Sequence, residues 1–597
     1  MKKLTRVLAL TLVCALLLGA TPALADWYKA PADLYELFPL DEPTVTLTCY
    51  SQLANYSGIQ TGWSATLLKD LFNVEINIVP DQDGTYETRM ASGNLGDLVV
   101  WGSNGDDYKK AVSAGMLFDW EEDWGDGKLM DIYAPYLAQN YTAALETNRT
   151  INSSVGVDKV LGFGHSVAFT TGAHQSFMYS WDIRWDLYKQ LGYPDITDLD
   201  SLLAVFKQMK EICPKDDAGN ETYAVSVWPD WDGTMVMYVK ALASAYYGYD
   251  ELAMGHYNPQ TGDYYPALDD GSPYLEMLQF FNRLYRENLL DPNSMTQTYD
   301  NANEKLKNSG TFWSIFNYAG SQAYNTDAHM AAGKYMYSRV PDAATPIVYG
   351  LGDSGGNRIW SIGAKTEYPE LCLAILDWLA TPEGTMAINY GPRGLMWDYD
   401  AEGGMYFTEL GAACNKDTKY DLSGVEWVSP YTGKTYTLSG NFNDGKIQIN
   451  NTTLNIDFVN PDPESKKGET FNKDSWESYV TAVTYPIQED WREWTGYTLA
   501  DQYMEARGTD SYMVAPDVPY AESQKSTELE VEWSQVTNTI KTYSWRCIYA
   551  KSEGEFNFHL SEMRRLCNQY GYEDCVEWSK GEAAIKWALT CDMYDME

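Results

Sequence analysis

The chain has 597 residues and a formal net charge of −41, because 84 acidic residues outnumber 43 lysines and arginines. A surface this acidic repels phosphate backbones and anionic lipid headgroups, which excludes nucleic acid and anionic membranes as partners. The length and the 45% hydrophobic content allow two or more domains with packed cores, and the 14% of aromatic residues predicts that several rings line a surface for flat apolar partners.

The first 25 residues predict a secretory signal peptide, so we expect export to the cell surface, the extracellular medium or the periplasm. Three basic residues precede an apolar run over residues 7–20, which is shorter than the roughly 20 residues of a membrane span. An A-x-A cleavage site ends at Ala25. Cys14 lies inside the apolar run without the small residues of a lipoprotein signal, so we expect an unlipidated mature chain that begins at Asp26.

The first elements after this leader alternate between strands and helices. Hydrophobic patterning predicts strands over residues 45–50, 74–79 and 98–101, and helical periodicity covers residues 63–72. We expect Gly93 to end a second helix in the left-handed conformation. This order predicts a mostly parallel sheet, in which ligands bind at the loops that follow the strands. The residues expected near these loops are Gln52, Tyr56, Trp101 and Asn104.

The remaining elements are mixed, and the last part of the chain is helical. In chain order, the predicted elements are a helix over residues 197–214, a strand over 223–228, a turn at 229–233, a strand over 359–363, a helix over 371–379, hairpins within 401–470, and helices from Trp533 onward.

Eight cysteines follow the predicted signal peptide and contain no C-x-x-C pair, which argues against a zinc or redox motif. Four of them fall within residues 547–591, where one or two disulfides would form in an oxidising compartment. The alternative is that these cysteines are small buried hydrophobic residues.

Two segments carry a family resemblance. Residues 89–105, RMASGNLGDLVVWGSNG, resemble the "asGdlPDli" segment of extracellular solute-binding proteins of family 1, with Gly96 in place of the usual proline. Residues 368–400 are similar to the "pE.alkllDwlys.eg…yG.eG..yeyd" stretch of the oligosaccharide and LplA-type lipoprotein subgroup. Arg393 stands there in place of the usual acidic residue. Weaker matches follow the family order over most of residues 45–597.

The resemblance implies an α/β fold of the two-lobed, type II periplasmic-binding-protein kind, with hinge strands between two doubly wound lobes. It also implies a ligand held between lobes that close on binding, and delivery of that ligand to the permease subunits of an ABC transporter. We expect a monomer. The expected division of the chain is 1–25 signal peptide, 26–170 lobe one, 171–358 lobe two, 359–430 return to lobe one, and 431–597 the remainder of lobe two with a C-terminal helical segment.

The motifs that would indicate catalysis or a cofactor are missing from the sequence. None of the five histidines lies in H-E-x-x-H spacing, and no G-x-S-x-G, P-loop or G-x-G-x-x-G occurs in a strand-to-helix context. The segments 81–84 and 216–221 begin like calcium loops but lack the required ligand spacing, so we interpret them as turns. We therefore expect a binding protein with no enzymatic activity, no cofactor and no metal.

Tryptophans at predicted loop edges suggest a carbohydrate ligand. Sugar rings rest their C–H faces on aromatic rings, and their hydroxyls need carboxylate and amide partners. Trp313 is expected to be a core residue. The predicted ligand-binding residues are Gln52, Tyr56, Trp101, Asn104, Trp228, Trp231, Asp232, Asn317 and Trp360. The alternatives are a secreted carbohydrate-active enzyme, which would use two of the many carboxylates, and a surface module for glycan adhesion or sensing.

Overall fold

The computed structural model describes residues 43–82, 84–164, 167, 174–356, 358–399, 405–449, 473, 477–481 and 483–593. The predicted signal peptide and Cys14 lie outside these ranges. The described residues form two units. Unit 1 comprises those of 1–171 and 352–473, and unit 2 comprises those of 172–351 and 474–597. The unit boundaries thus follow residues 171, 351 and 473, where the sequence placed them after 170, 358 and 430.

The elements of the first two segments follow in chain order. Up to residue 164 they are β1 (Val45–Ser51), β2 (Gly58–Ile59), α1 (Trp63–Phe72), β3 (Val74–Pro80), α2 (Thr85–Ser92), β4 (Leu98–Trp101), α3 (Asp106–Ser113), α4 (Leu129–Tyr133), α5 (Pro135–Asn140), α6 (Thr142–Ser153) and β5 (Gly162–Gly164). Between 174 and 351 they are β6 (Tyr179–Arg184), α7 (Trp185–Gln190), α8 (Leu199–Ile212), α9 (Met237–Tyr247), β7 (Asp250–Leu252), β8 (Gly255–Tyr257), β9 (Tyr264–Pro266), α10 (Pro273–Arg286), α11 (Tyr299–Lys307), β10 (Trp313–Phe316), α12 (Ser321–Tyr324), α13 (Asp327–Ala331), β11 (Met336–Ser338) and β12 (Ile347–Tyr349).

The chain then returns to unit 1 before it completes unit 2. Between 358 and 449 the elements are β13 (Ile359–Ile362), α14 (Pro369–Ala380), α15 (Pro382–Tyr390), β14 (Trp397–Tyr399), β15 (Met405–Phe407), α16 (Glu409–Lys416), β16 (Glu426–Val428) and β17 (Thr435–Thr437). From residue 477 they are α17 (Glu477–Val480), α18 (Pro486–Thr495), α19 (Ala500–Ala506), a 3-10 turn (Thr509–Ser511), β18 (Met513–Ala515), α20 (Thr527–Ile548), α21 (Glu553–Gln569) and α22 (Tyr572–Met593).

Unit 1 is built on a six-stranded sheet in the order β2–β3–β1–β4–β13–β5. The predicted parallel pairing is confirmed, because β1 runs parallel to both β3 and β4. All four residues of β4 are buried, as an uninterrupted apolar run indicates for a central strand. The predicted helix over residues 63–72 is confirmed as α1, and Gly93 ends α2 with φ +69°. β13 lies between β4 and β5 and runs antiparallel to both.

The hairpin of β16 and β17 belongs to unit 1, although the sequence-based boundary at 430 divides it. Its anchor is Asp70, a buried carboxylate on α1. The hydroxyls of Ser429 and Thr432 each donate to this carboxylate at 2.5 Å, and the Tyr436 hydroxyl donates at 2.7 Å. This contact joins residues more than 350 positions apart in sequence, which hydrophobic patterning does not reveal.

Unit 2 has a large aromatic core around the antiparallel sheet β10–β6–β11. Trp181 and Trp313 lie in it with ring centroids 5.8 Å apart, so the expected core role of Trp313 is confirmed. The predicted helical tail is confirmed as α20–α22. The buried side chain of Asn282 on α10 donates to the carbonyls of Cys547, Ile548 and Ala550, which satisfies acceptors at the carboxyl end of α20.

One predicted element of unit 2 is wrong. Residues 223–228 form no regular strand and instead make single bridges, from Tyr223 to Thr311 and from Val225 to Leu290. The reason is that this segment lies between two loops and alternates its backbone partners. The N–H of Ala224 donates to Leu289 O at 2.7 Å, whereas the N–H of Val227 donates to the Ser294 hydroxyl at 3.1 Å.

The eight cysteines after the predicted signal peptide are all free in the structure, and Cys547, Cys567 and Cys575 are buried. These three therefore act as the small buried side chains of the alternative interpretation. Within the described ranges, no single helix has both the length and the hydropathy of a membrane span, although α14 and α15 satisfy that test together as a pair bent by 82°.

Candidate functional site

In unit 1, the loops that follow β1, β3 and β4 meet at one edge of the sheet. β1 lies between β3 and β4, so this edge is a topological switch point, where open α/β sheets bind their ligands. Gln52 joins two of these loops. Its Oε1 accepts from the N–H of Gly102 at 3.0 Å, and its Nε2 donates to Asp107 Oδ2 at 3.1 Å. The N–H of Asp81 donates to Ser51 O at 2.9 Å, which holds the third loop beside them.

Three carboxylates, those of Asp81, Glu87 and Asp107, mark this place, and we call them the acidic edge of unit 1. Burial raises the pKa of Asp107, and the charges of Asp81 and Glu87 raise it further, against the opposing effects of Gln52 and Lys110. The three acids form no salt bridge to any other described residue. By contrast, Glu121 elsewhere in unit 1 is paired with two cations.

The Tyr50 side chain is fully buried beside the acidic edge. Burial raises the pKa of its hydroxyl, as do the nearby charges of Asp81 and Asp107. A hydrogen bond with the Asp81 side chain also raises this pKa, and one with the Gln52 side chain lowers it. Tyr86 is also buried, and its hydroxyl donates to Asp107 O at 2.7 Å. The edge therefore presents carboxylates that form no salt bridge with the described residues, and such acceptors suit a hydroxyl-rich ligand.

Trp101 and Trp360 are core side chains, which corrects their expected role as exposed platforms. They are 0% and 2% exposed. Trp101 packs edge-on against Tyr108 at 5.5 Å, and its Nε1 donates to the Ser361 hydroxyl at 3.3 Å. Both side chains are buried because they belong to β4 and β13, which are central strands of the sheet with both faces covered.

Two other residues predicted in unit 1 lie in the loops as expected, but without a demonstrated ligand role. The hydroxyl of Tyr56 donates to Ile59 O at 2.7 Å. Asn104 is 6% exposed in the loop between β4 and α3. The acids Asp81, Glu87 and Asp107 were not predicted as site residues. The rule that found Gln52, the loop after a strand, also applies to Asp81, which directly follows β3.

In unit 2, three rings form an aromatic surface, which we define as Trp231, Tyr299 and Tyr318. Trp231 is 47% exposed, an unusual value for so large a hydrophobic side chain. Its ring lies 4.8 Å from that of Tyr299 at an interplanar angle of 30° and 6.2 Å from that of Tyr318. The neighbouring rings hold the Trp231 indole in place while much of it stays in contact with solvent. A rigid, exposed indole can stack on the C–H face of a sugar ring.

The turn between Trp228 and Trp231 separates a core residue from a surface residue. Trp228 is 2% exposed and packs on Tyr238 at 5.0 Å and Tyr299 at 4.9 Å, so its expected role as a ligand platform is corrected to a supporting one. Its ring meets that of Trp231 edge-on at 5.3 Å. The buried ring of Trp228 thus packs against two rings of the aromatic surface, those of Trp231 and Tyr299.

Two polar residues predicted beside this surface hold the protein's own groups. Asp232 accepts from the N–H of Met237 and from Trp545 Nε1, both at 2.8 Å, so its carboxylate fixes the turn. Burial is the main reason that the pKa of Asp232 is raised. The side chain of Asn317 donates to Phe177 O at 3.1 Å. Sequence reasoning missed Tyr299 and Tyr318, although Tyr318 comes just after β10, a position that the loop rule covers.

The loop 216–221 is a turn that the protein stabilises with its own cations. Asp216 Oδ1 accepts from the N–H groups of Ala218 and Asn220. Lys334 pairs with Asp217, and Lys210 pairs with Glu221 at 3.0 Å. In the part of the chain that the structure describes, no three His, Cys, Asp or Glu side chains are grouped so that they could hold a metal ion.

The fold is that of solved solute-binding proteins. An alginate-binding protein, AlgQ2, without calcium ion matches with a TM-score of 0.56 at 15% identity, and the match covers 91% of this chain and 99% of that one. The Streptococcus pneumoniae ABC-transporter substrate binding protein FusA, in complex with kestose, matches with a TM-score of 0.53 at 14% identity and with the same coverage of both chains. An HMO-binding, ABC-transporter-associated solute binding protein from Bifidobacterium longum infantis matches with a TM-score of 0.51 at 12% identity. This match also covers 91% of this chain and 99% of that one.

At these identities the likeness establishes the fold, and it confirms the predicted solute-binding class of α/β architecture. No protein-family model matches the sequence. No curated protein matches it either.

Proposed function

We propose that this protein is an exported solute-binding receptor that captures an oligosaccharide and delivers it to an ABC transporter. The observation that carries the proposal is the aromatic surface of unit 2, where Trp231 remains 47% exposed against two tyrosine rings. The acidic edge of unit 1 is a second candidate contact, since its carboxylates can accept hydrogen bonds from sugar hydroxyls. The fold supports the same proposal, because the neighbours that share it bind alginate, HMO and kestose.

Ligand screening by thermal unfolding tests the proposal. A ligand that binds only the folded state stabilises it by RT ln(1 + [L]/Kd), which is about 2.7 kcal/mol at one hundred times Kd. We expect at least one oligosaccharide to raise the unfolding temperature, and its monosaccharides to do so less, because fewer sugar rings can stack. A broad glycan panel that leaves the unfolding temperature unchanged would contradict the proposal.

The same sample separates the receptor from a secreted carbohydrate-active enzyme. A receptor returns a labelled oligosaccharide intact after prolonged incubation, whereas an enzyme shortens or modifies it. An adhesion or sensory module would also return it intact, so the transport role needs a second measurement. We expect a strain that lacks this protein to lose uptake of the bound glycan. Returning the protein to that strain should restore uptake, and we expect the exported receptor to be a monomer that begins at Asp26.

A further inference from the structure

A small cavity of unit 2 adjoins the aromatic surface. Its volume is about 10 Å³, and its lining includes Trp228, Tyr299, Asn303 and Trp313. Tyr299 belongs to both places, because its ring packs on the exposed Trp231 indole at 4.8 Å and on the buried Trp228 indole at 4.9 Å. The cavity is therefore part of the support of the aromatic surface.

Three side chains of the lining have a buried polar atom that forms no hydrogen bond with the described residues. These atoms are Trp228 Nε1, Trp313 Nε1 and Asn303 Oδ1. Both indoles are only 2% exposed. An indole N–H can only donate, and an amide oxygen can only accept. Buried polar groups in native proteins are almost always hydrogen-bonded to protein or to ordered water, so these three atoms call for a partner.

The chemistry of the lining defines that partner. Two serine hydroxyls of the lining are used by the protein itself, because Ser226 donates to Asp291 Oδ2 at 2.6 Å and Ser314 donates to Phe316 O at 3.0 Å. The partner of the other three atoms must accept two hydrogen bonds and donate one. A halide accepts from indole N–H groups but is repelled by an amide oxygen, and a metal cation is repelled by the N–H groups.

A water molecule meets both requirements. It accepts two hydrogen bonds and donates two, and a buried water in a protein typically makes about three. A cavity needs roughly 10–15 Å³ to hold one water, so a cavity of about 10 Å³ has room for a single molecule.

We propose that this cavity binds one ordered water molecule, which accepts from Trp228 Nε1 and Trp313 Nε1 and donates to Asn303 Oδ1. Trp228 precedes the turn that carries Trp231, Trp313 lies on β10, and Asn303 lies on α11. The water thus ties α11, which begins at Tyr299, to the two buried indoles. Through them it positions the aromatic surface, a role that rests on the proposed function, whereas the water site itself does not.

NMR of the ligand-free protein with ¹⁵N-labelled tryptophan tests the water site. The two indole signals are assigned by their loss in Trp228→Phe and in Trp313→Phe, and we expect both Nε1 protons to show cross-relaxation with a long-lived water. The matched control is Trp181, a core indole whose Nε1 donates to Ala245 O at 3.1 Å and should show no such contact. Absence of the water contact at either Trp228 or Trp313 contradicts the proposal.

A crystal structure of the ligand-free protein gives a second measurement that needs no variant. We expect one water oxygen within about 3.2 Å of all three atoms. Crystals grown in sodium bromide test the alternative of a halide, and an anomalous bromide signal in the cavity would overturn the water assignment. A cavity without a water peak would overturn it as well.

Variants of Asn303 test the positioning role. Asn303→Leu removes the acceptor, so we expect it to abolish the water contact and to weaken binding of a sugar from the glycan panel by about three- to tenfold, the equivalent of one neutral hydrogen bond. Asn303→Asp keeps an oxygen acceptor and should retain both properties. The matched control is Asn308→Leu, the same substitution at the exposed end of α11, which should change neither.

The outcomes separate the water site from the function of the receptor. If Asn303→Leu loses the water contact and keeps full sugar affinity, the positioning role is overturned and the water site stands. If the unmodified protein binds no sugar of the panel, the proposed function and the positioning role fall together. The NMR and crystallographic measurements still decide the water site in that case.

Discussion

At the scale of single residues, Trp228 and Trp231 lie three positions apart in one turn, and we expect Trp228 to contribute to stability and Trp231 to binding. Trp228 points into a shell of aromatic rings and is 2% exposed, whereas Trp231 is 47% exposed on top of that shell. Asp232 fixes the turn between them and α9 by accepting from the N–H of Met237 at 2.8 Å. The two tryptophans are therefore a matched pair for mutagenesis, with the same side chain in different surroundings.

We expect Trp231→Ala to weaken sugar binding by about 1–3 kcal/mol, as removal of an aromatic anchor does, with little effect on unfolding. Trp228→Ala should instead lower the free energy of unfolding by about 3–5 kcal/mol, because it leaves a cavity in the core. Calorimetric titration and thermal melts of both variants check this. Full sugar affinity in a destabilised Trp231→Ala protein would refute the assignment.

Buried carboxylates are a second residue-scale feature. Burial raises the pKa of Asp377 from 3.8 to about 8, only partly offset by hydrogen bonds such as that from the N–H of Leu137 at 2.8 Å. Burial likewise raises the pKa of Asp182 and of Glu383 to about 7. These acids remain protonated in the folded protein at pH values where the unfolded chain ionises them.

This difference predicts that stability falls as the pH rises. The contribution of Asp377 is fully present below about pH 4 and is lost as the pH passes through about 8. We expect the urea midpoint to decline between pH 5 and pH 8.5, and Asp377→Asn to decline less, because the amide oxygen still accepts from Leu137 and cannot ionise. Parallel declines in both proteins would show that Asp377 is not responsible.

At the scale of elements, the β16–β17 hairpin depends on one side chain of a distant helix. Asp70 accepts hydrogen bonds from three hydroxyls of residues 429–436, and it is 0% exposed. Trp427 and Tyr436, which stack at 5.7 Å, add packing within the hairpin. A hairpin of two three-residue strands has little stability of its own, so its place in unit 1 rests on this carboxylate.

We therefore expect Asp70→Ala to destabilise unit 1 by about 3 kcal/mol or more, since it leaves one buried and two partly buried hydroxyls without their acceptor. Hydrogen exchange should accelerate first in residues 426–437, which lose their anchor. The control is Asp444→Ala in an exposed turn, where the expected change is within about 0.5 kcal/mol. Unchanged exchange in the hairpin of Asp70→Ala would contradict the anchoring role.

At the scale of the whole molecule, the net charge of −41 opposes folding because it concentrates like charges on a compact body. Many of these charges serve solubility. The distance over which such charges repel one another is about 30 Å at 10 mM ionic strength and shrinks to about 8 Å at 150 mM. Stability should thus depend on salt even without ligand.

We expect the unfolding temperature to rise between 10 and 150 mM salt, and sodium and potassium chloride to act equally, because screening does not depend on which of the two cations is present. Differential scanning fluorimetry of the ligand-free protein measures this. A constant or falling unfolding temperature would mean that neighbouring ion pairs already offset the net charge.

Apart from the two-residue strand β2, which lies in a segment interpreted as a loop, the elements of unit 1 up to residue 101 could be predicted because their signals are local. The period of two in β3 and the helical pattern of α1 repeat within a few residues, and a single glycine ends α2. The strand over 223–228 was mispredicted because its apolar residues pack on loops that come more than 60 positions later.

For the site, the sequence by itself determined which residues lie in loops after strands, and it identified Gln52 and Trp231 as candidates there. Only the tertiary structure decided which tryptophans are exposed, because burial depends on the elements that cover a strand from both sides, as for Trp101 and Trp360. It also brought Tyr299 and Tyr318 to Trp231, and Asp107 to Gln52. These contacts join side chains that are far apart in the chain, and local periodicity carries no information about such distances.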